Sequence, residues 1–135
     1  MNTGNFHKLL ALLLATTGIT LLQLLPVETS GQETVEEITM TLGDYRFSPD
    51  SIEVRSGTPV ILTLINKDSI TPHNFTLKDE SGGLDIDTKV RAGSKVVVKF
   101  TPAIPGTYTF YCNKKLPFVK SHRARGMEGT LSVKD

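Results

Sequence analysis

The sequence predicts an all-β fold, an antiparallel Greek-key β-sandwich of about seven to eight short strands. Three observations carry this expectation. Apolar residues recur at every second position in short runs, the period of a strand with one buried face. Turn signals rich in Gly, Pro, Asn and Asp separate those runs at regular spacing. Beyond the N-terminal segment, no stretch keeps a helical period.

Ile38, Met40 and Leu42 alternate with threonines and predict the first half-buried strand, and Tyr45–Asp50 with Pro49 predicts a turn. Ile52 and Val54 alternate before a turn at Ser56-Gly57-Thr58. Pro59–Asn66 carries Val60, Leu62 and Leu64 on one side and Ile61 and Ile65 on the other, which suits a central strand. Phe75 and Leu77 point inward from Asn74–Leu77, and Ser81-Gly82-Gly83 turns the chain into Leu84–Val90, an edge-like segment. After Arg91-Ala92-Gly93, Val96, Val98 and Phe100 form a clear alternating strand, and Pro102–Gly106 is a stiff connection. Tyr108, Phe110 and Cys112 then share one face of Thr107–Cys112, and Leu131 and Val133 face inward from the closing strand Gly129–Lys134.

The N-terminus has a different composition. Residues 1–8 are polar with basic Lys8, and an apolar run extends from Leu9 to Leu25. A basic segment ahead of an apolar run is the form of an export signal. Residues 1–31 are therefore expected to be a signal peptide, with small residues at Thr29-Ser30-Gly31 for cleavage. The alternative is an uncleaved signal anchor, because the run sits at the short limit for spanning a bilayer. Residues 32–135 are expected to form one exported domain, periplasmic or otherwise extracytoplasmic.

That domain is close to electroneutral, with 14 Lys and Arg against 13 Asp and Glu from Gln32 onward. The balance excludes the strongly basic face of a nucleic-acid binder. A single cysteine, Cys112, cannot form an internal disulfide. In an exported domain such a residue is a free thiol, an intermolecular bridge or a metal ligand.

The segment CNKKLPFVKSHRARGM, Cys112 to Met127, places a thiol, the imidazole of His122 and the thioether of Met127 on one loop. These soft donors suit copper, whereas Mg²⁺ and Ca²⁺ take oxygen ligands. Singly, each has an ordinary reading: a small inward hydrophobe, a solvated loop residue, a core filler. Jointly they do not, because His73, at the start of a strand in Thr71-Pro72-His73-Asn74-Phe75, supplies a fourth donor. Two strands of a sandwich can bring His73 to the rim that carries Cys112. His₂Cys with a distant Met is the donor set of a blue-copper electron-transfer site.

The stretches FSPDSIEVRSGTPVILTLIN, TPHNF, GTYTFYC and HRARGMEGTLSV resemble a cupredoxin of the single-domain plastocyanin or azurin kind, from about Tyr45 to Val133. The resemblance implies one copper ion per chain, with His73 as the first ligand and Cys112, His122 and Met127 following in order on the last long loop. It also implies that Asn74 hydrogen-bonds near the thiolate and stiffens the site. One departure stands out: nine residues separate Cys112 from His122, where simple cupredoxins have only a few. Copper nitrite reductases, whose type-1 loop is also long before an H-x4-M ending, are more similar here.

The implied function is single-electron transfer by Cu(II)/Cu(I) cycling, without enzymatic activity. The alternative is an extracytoplasmic copper carrier or storage protein with the same ligands. A nitrite reductase would need a His beside the type-1 Cys, and Cys112 is flanked by Tyr111 and Asn113. His122 is expected to be the exposed ligand, with Tyr111 as a second route for the electron. Lys114, Lys115, Lys120, Arg123 and Arg125 surround this port without an acidic residue between Asn113 and Met127. An acidic face on a redox partner is therefore expected, steered electrostatically to a monomeric protein.

Overall fold

The computed structural model describes Thr34–Asp135, so the expected signal or anchor lies outside the described residues. Among the described residues no helix is long and apolar enough to cross a membrane. Nine strands form among the described residues: β1 (Glu36–Gly43), β2 (Arg46–Ser48), β3 (Ser51–Arg55), β4 (Val60–Asn66), β5 (His73–Asp79), β6 (Leu84–Val90), β7 (Lys95–Phe100), β8 (Gly106–Tyr111) and β9 (Glu128–Lys134). They assemble into a four-stranded sheet of order β2-β1-β4-β7 and a five-stranded sheet of order β3-β9-β8-β5-β6.

The sandwich follows from the alternation. Met40, Leu42, Leu62 and Leu64 from the first sheet, and Phe75, Leu77, Phe110 and Leu131 from the second, are fully buried in one core. β4 lies between β1 and β7, which accounts for its half-buried Ile61 and Ile65 on the other face. β6 is an edge strand, as its weaker pattern suggested.

Two expectations are corrected. The pairing is mixed: β1 runs parallel to β4 from Glu36↔Val60 to Leu42↔Asn66, and β3 runs parallel to β9. Parallel neighbours cannot be joined by a tight turn. Here the chain leaves the first sheet after β2, runs through β3 in the second, and returns as β4. The second correction adds a strand. Arg46–Ser48, inside the expected turn, pairs with β1. Its Phe47 is buried and packs edge-on against Phe75 at 6.1 Å and Phe110 at 5.2 Å. Only Asp44 and Tyr45 turn the chain, both at positive φ (48° and 57°), as a two-residue type I′ hairpin requires.

Candidate metal centre

β5 and β8 are antiparallel neighbours, with Thr76 opposite Tyr111 and Leu77 opposite Phe110. That register sets the start of β5 beside the end of β8. His73 is the first residue of β5, and Cys112 directly follows β8 with its side chain on the buried face. The alternation predicted for Tyr108, Phe110 and Cys112 therefore continues one residue past the strand. The Cys112 N–H donates to the Met127 carbonyl at 3.0 Å, which continues the β8–β9 pairing to the rim.

His122 opens a single 3₁₀ turn, Arg123–Arg125, that ends on Gly126 at φ 96°, a left-handed position suited to glycine. The turn brings Met127 back under His122, whose carbonyl accepts the Met127 N–H at 3.0 Å. Met127 is fully buried. Gly129, the second residue of β9, is required by packing. A Cβ there would collide with the Asp50 carbonyl and the Phe110 ring, so close packing requires the glycine.

The long Cys112-to-His122 spacing has a structural resolution. The His122 N–H donates to the Lys114 carbonyl at 2.9 Å, closing off residues 115–121 as an excursion from the ligand loop. Phe118 stands at φ 64° and is completely exposed on this excursion, and Leu116 and Val119 are exposed beside it. Cys112 and His122 are thus joined as though the loop were short.

The donor atoms of His73, Cys112 and His122 lie within 4.8 Å of one another, and all three residues are buried. His73 Nδ1 is 3.1 Å from His122 Nδ1, and the Cys112 Sγ is 3.4 Å from His122 Nδ1 and 4.0 Å from His73 Nδ1. Two imidazole nitrogens and a sulfur converge with no carboxylate among them, which fits a soft, borderline cation such as copper. The other nitrogen of His73, Nε2, meets the Asp68 carboxylate at 2.8 Å.

The electrostatics prepare these groups. Burial pushes the Cys112 thiol above its ordinary value, against the backbone N–H groups of Asn74 and Lys114, which pull it down. Burial first, then the neighbouring His73, Arg125 and Lys114, hold His122 below the ordinary imidazole range. A lowered value favours the neutral imidazole, the form that can donate a lone pair to a metal. Burial alone would raise the Asp68 carboxyl, but the His73 hydrogen bond and the Asp44 N–H leave it below its ordinary value.

Asn74 meets the sulfur through its backbone: its N–H donates to Cys112 Sγ at 3.4 Å. The Asn74 side chain ties β5 to the segment after β8. It donates to Asn113 Oδ1 at 2.8 Å and to Asp87 at 2.7 Å, and accepts the Asn113 N–H at 2.9 Å. Three further residues at the site were not singled out in the sequence. Asp68 touches His73, Asp87 anchors Asn74, and Tyr45 packs edge-on against His122 at 4.8 Å. An Asx-type Asn66-Lys67-Asp68 turn, five residues before His73, was the one local signal for Asp68. Nothing in the sequence brings Tyr45 to His122.

The basic residues divide into two groups. Arg125 stacks over Tyr45 at 4.4 Å, and Arg123 stacks over Tyr111 at 4.2 Å while pairing with Glu128 at 2.9 Å. Lys114, Lys115 and Lys120 have no carboxylate partner among the described residues. Beside His122 lies a cavity of about 230 Å³ lined by Tyr45, Ile70, Pro72, Lys114 and Leu116.

Comparisons with known proteins identify the family. A family model described as a cupredoxin-like domain matches residues 9–127. Plastocyanin from Dryopteris crassirhizoma is 31% identical over 109 residues, covering 73% of this chain and 97% of that protein. Dithionite-reduced auracyanin from Roseiflexus castenholzii shares the fold, with a TM-score of 0.61 at 20% identity over 73% of this chain and 97% of that one. Copper-containing nitrite reductase from Cereibacter sphaeroides is 34% identical over 83 residues, 59% of this chain but only 22% of that enzyme. The chain belongs to the cupredoxin-like family of copper proteins.

Proposed function

We propose that this chain is an exported, monomeric single-electron carrier whose copper is held by His73, Cys112 and His122, with Met127 as the weaker fourth donor. The observation that carries the proposal is the convergence of two Nδ1 atoms and one Sγ, all buried, within 4.8 Å. Copper bound there would supply a one-electron couple between Cu(II) and Cu(I). The protein's part is to hold the donors still. His73 and Cys112 are fixed by paired strands, and Asn74 and Asn113 lock those strands together at the site. A donor set fixed by its scaffold limits rearrangement between the two charge states.

His122 is the exit for the electron. It is 8% exposed, whereas His73, Cys112 and Met127 are at 0%. Tyr111 is the weaker route, because Arg123 covers its ring. Lys114 and Lys115 line the His122 cavity, and with Lys120 on the same loop they favour a partner with an acidic docking face. Enzymatic turnover of the nitrite reductase kind is disfavoured, since Tyr111 and Asn113 stand where a bridging His would be needed.

Visible absorption of the copper-loaded domain, beside Cys112→Ser, tests the reading. An intense thiolate-to-copper band is expected in the wild type and not in the variant. A band that survives the substitution would rule out the thiolate. Rapid loss of copper to a partner, with no intense band, would favour a carrier or storage protein instead.

A further inference from the structure

The strongest polar contact to the cluster comes from a residue outside the donor set. Asp68 lies in the connection between β4 and β5, and its Oδ2 is 2.8 Å from His73 Nε2. Its other oxygen, Oδ1, accepts the Asp44 backbone N–H at 3.2 Å. The connection is itself pinned. Asn66 Oδ1 accepts the Asp68 N–H at 3.0 Å, and the Asp68 carbonyl accepts the Gly93 N–H at 2.9 Å. The Asn66 side-chain amide donates in turn to the carbonyls of Thr71 and Val90. The carboxylate is therefore built into place, and its side chain is only 20% exposed.

We propose that Asp68 is a positioning residue for the metal centre: its contact with His73 fixes the imidazole with the proton on Nε2 and the lone pair of Nδ1 turned toward Cys112 and His122. The argument rests on donor and acceptor counting. A backbone N–H can only donate, and a carboxylate can only accept, so each oxygen of Asp68 faces one donor. His73 Nε2 must then carry its proton, which leaves Nδ1 free as a ligand atom. The same contact joins the two imidazoles through the β1–β2 hairpin. Asp44, held by Asp68, is followed by Tyr45, whose ring packs on His122. A carboxylate behind a ligand imidazole raises its basicity and adds negative charge near the metal, both of which favour the more highly charged ion.

This inference rests on the copper reading above. Asp68→Asn is the sharp variant, because it keeps the shape and offers one acceptor where two donors converge. Nitrogen NMR of the metal-free chain should find wild-type His73 protonated on Nε2, and the variant shifted toward protonation on Nδ1. Copper affinity should fall by about 10- to 100-fold, the usual effect of losing such an outer partner. The reduction potential should rise, by about 59 mV for each tenfold by which Cu(II) is weakened more than Cu(I). An unchanged tautomer with unchanged affinity and potential would overturn the proposal, even if thermal stability fell. A wild type that takes up no copper would defeat the copper reading, while the metal-free tautomer would still decide the role of Asp68.

Discussion

The excursion between Lys114 and His122 can be removed without touching the proposed ligands. Excising Leu116–Lys120 leaves Lys114-Lys115-Ser121-His122, in which the existing Lys114 carbonyl to His122 N–H bond becomes the closing bond of a four-residue β-turn. Ser121 is retained because its Oγ accepts the Ala124 N–H at 3.1 Å and its carbonyl accepts the Arg125 N–H at 3.2 Å, so it supports the turn that carries His122. Little packing is lost, since Leu116 is 67% and Phe118 fully exposed. Shortening the loop from seven intervening residues to two relieves closure entropy by about 1 kcal/mol, partly offset by the stiffness of so short a loop. Thermal unfolding should therefore shift by no more than about 4–8 °C in either direction. The thiolate-to-copper band should persist, and electron transfer to an acidic partner should slow as the exposed apolar residues and Lys120 are lost. Loss of the band, or copper affinity lowered more than about tenfold (roughly 1.4 kcal/mol), would show that the excursion shapes the site and refute the idea that it is closed off.

Three other outcomes follow from the geometry. Gly129→Ala sets a methyl against the Asp50 carbonyl and the Phe110 ring, where a backbone atom cannot yield cheaply; a destabilisation of about 3 kcal/mol is expected in denaturant unfolding, and less than about 1 kcal/mol would contradict the packing argument. The metal-free domain should be most stable between the ordinary imidazole value of 6.5 and the ordinary thiol value of 9.0. His122 is held below its unfolded value, so its contribution is present above 6.5 and lost as pH falls; Cys112 is held above its unfolded value, so its contribution is present below 9.0 and lost as pH rises. Equilibrium unfolding across pH 5 to 10 (about that range) checks this, and a stability that climbs steadily in either direction would contradict it. Replacing Lys114, Lys115 and Lys120 with Gln should slow association with an acidic redox partner and flatten its salt dependence, leaving the absorption spectrum intact; rates insensitive to both salt and substitution would place docking elsewhere.

Much of the molecule was legible before its structure. The two-residue period marked nearly every strand, because an apolar face must be buried wherever it occurs along a chain. The donor set was legible for a chemical reason: few soft donors lie in the domain, and three of them are on one loop. The misreadings have one physical origin. Arg46–Ser48 is too short for a period to show, and only its pairing with β1 and the burial of Phe47 among Phe75 and Phe110 make it a strand. Parallel pairing of β1 with β4 depends on the order in which the chain visits the two sheets, which local pattern does not encode.

The sequence by itself therefore determined the strands other than β2, their buried faces and the four candidate donors, since these depend on side-chain chemistry and a local period. The tertiary structure decided how the donors meet and what surrounds them. Register between β5 and β8 sets His73 beside Cys112, and one backbone bond from His122 to Lys114 turns a nine-residue spacing into a short ligand loop. Asp68 and Tyr45 reach the imidazoles from connections distant in the chain. Hydrogen bonds and ring contacts of this kind depend on distances between segments, and those distances exist only once the sheets have packed.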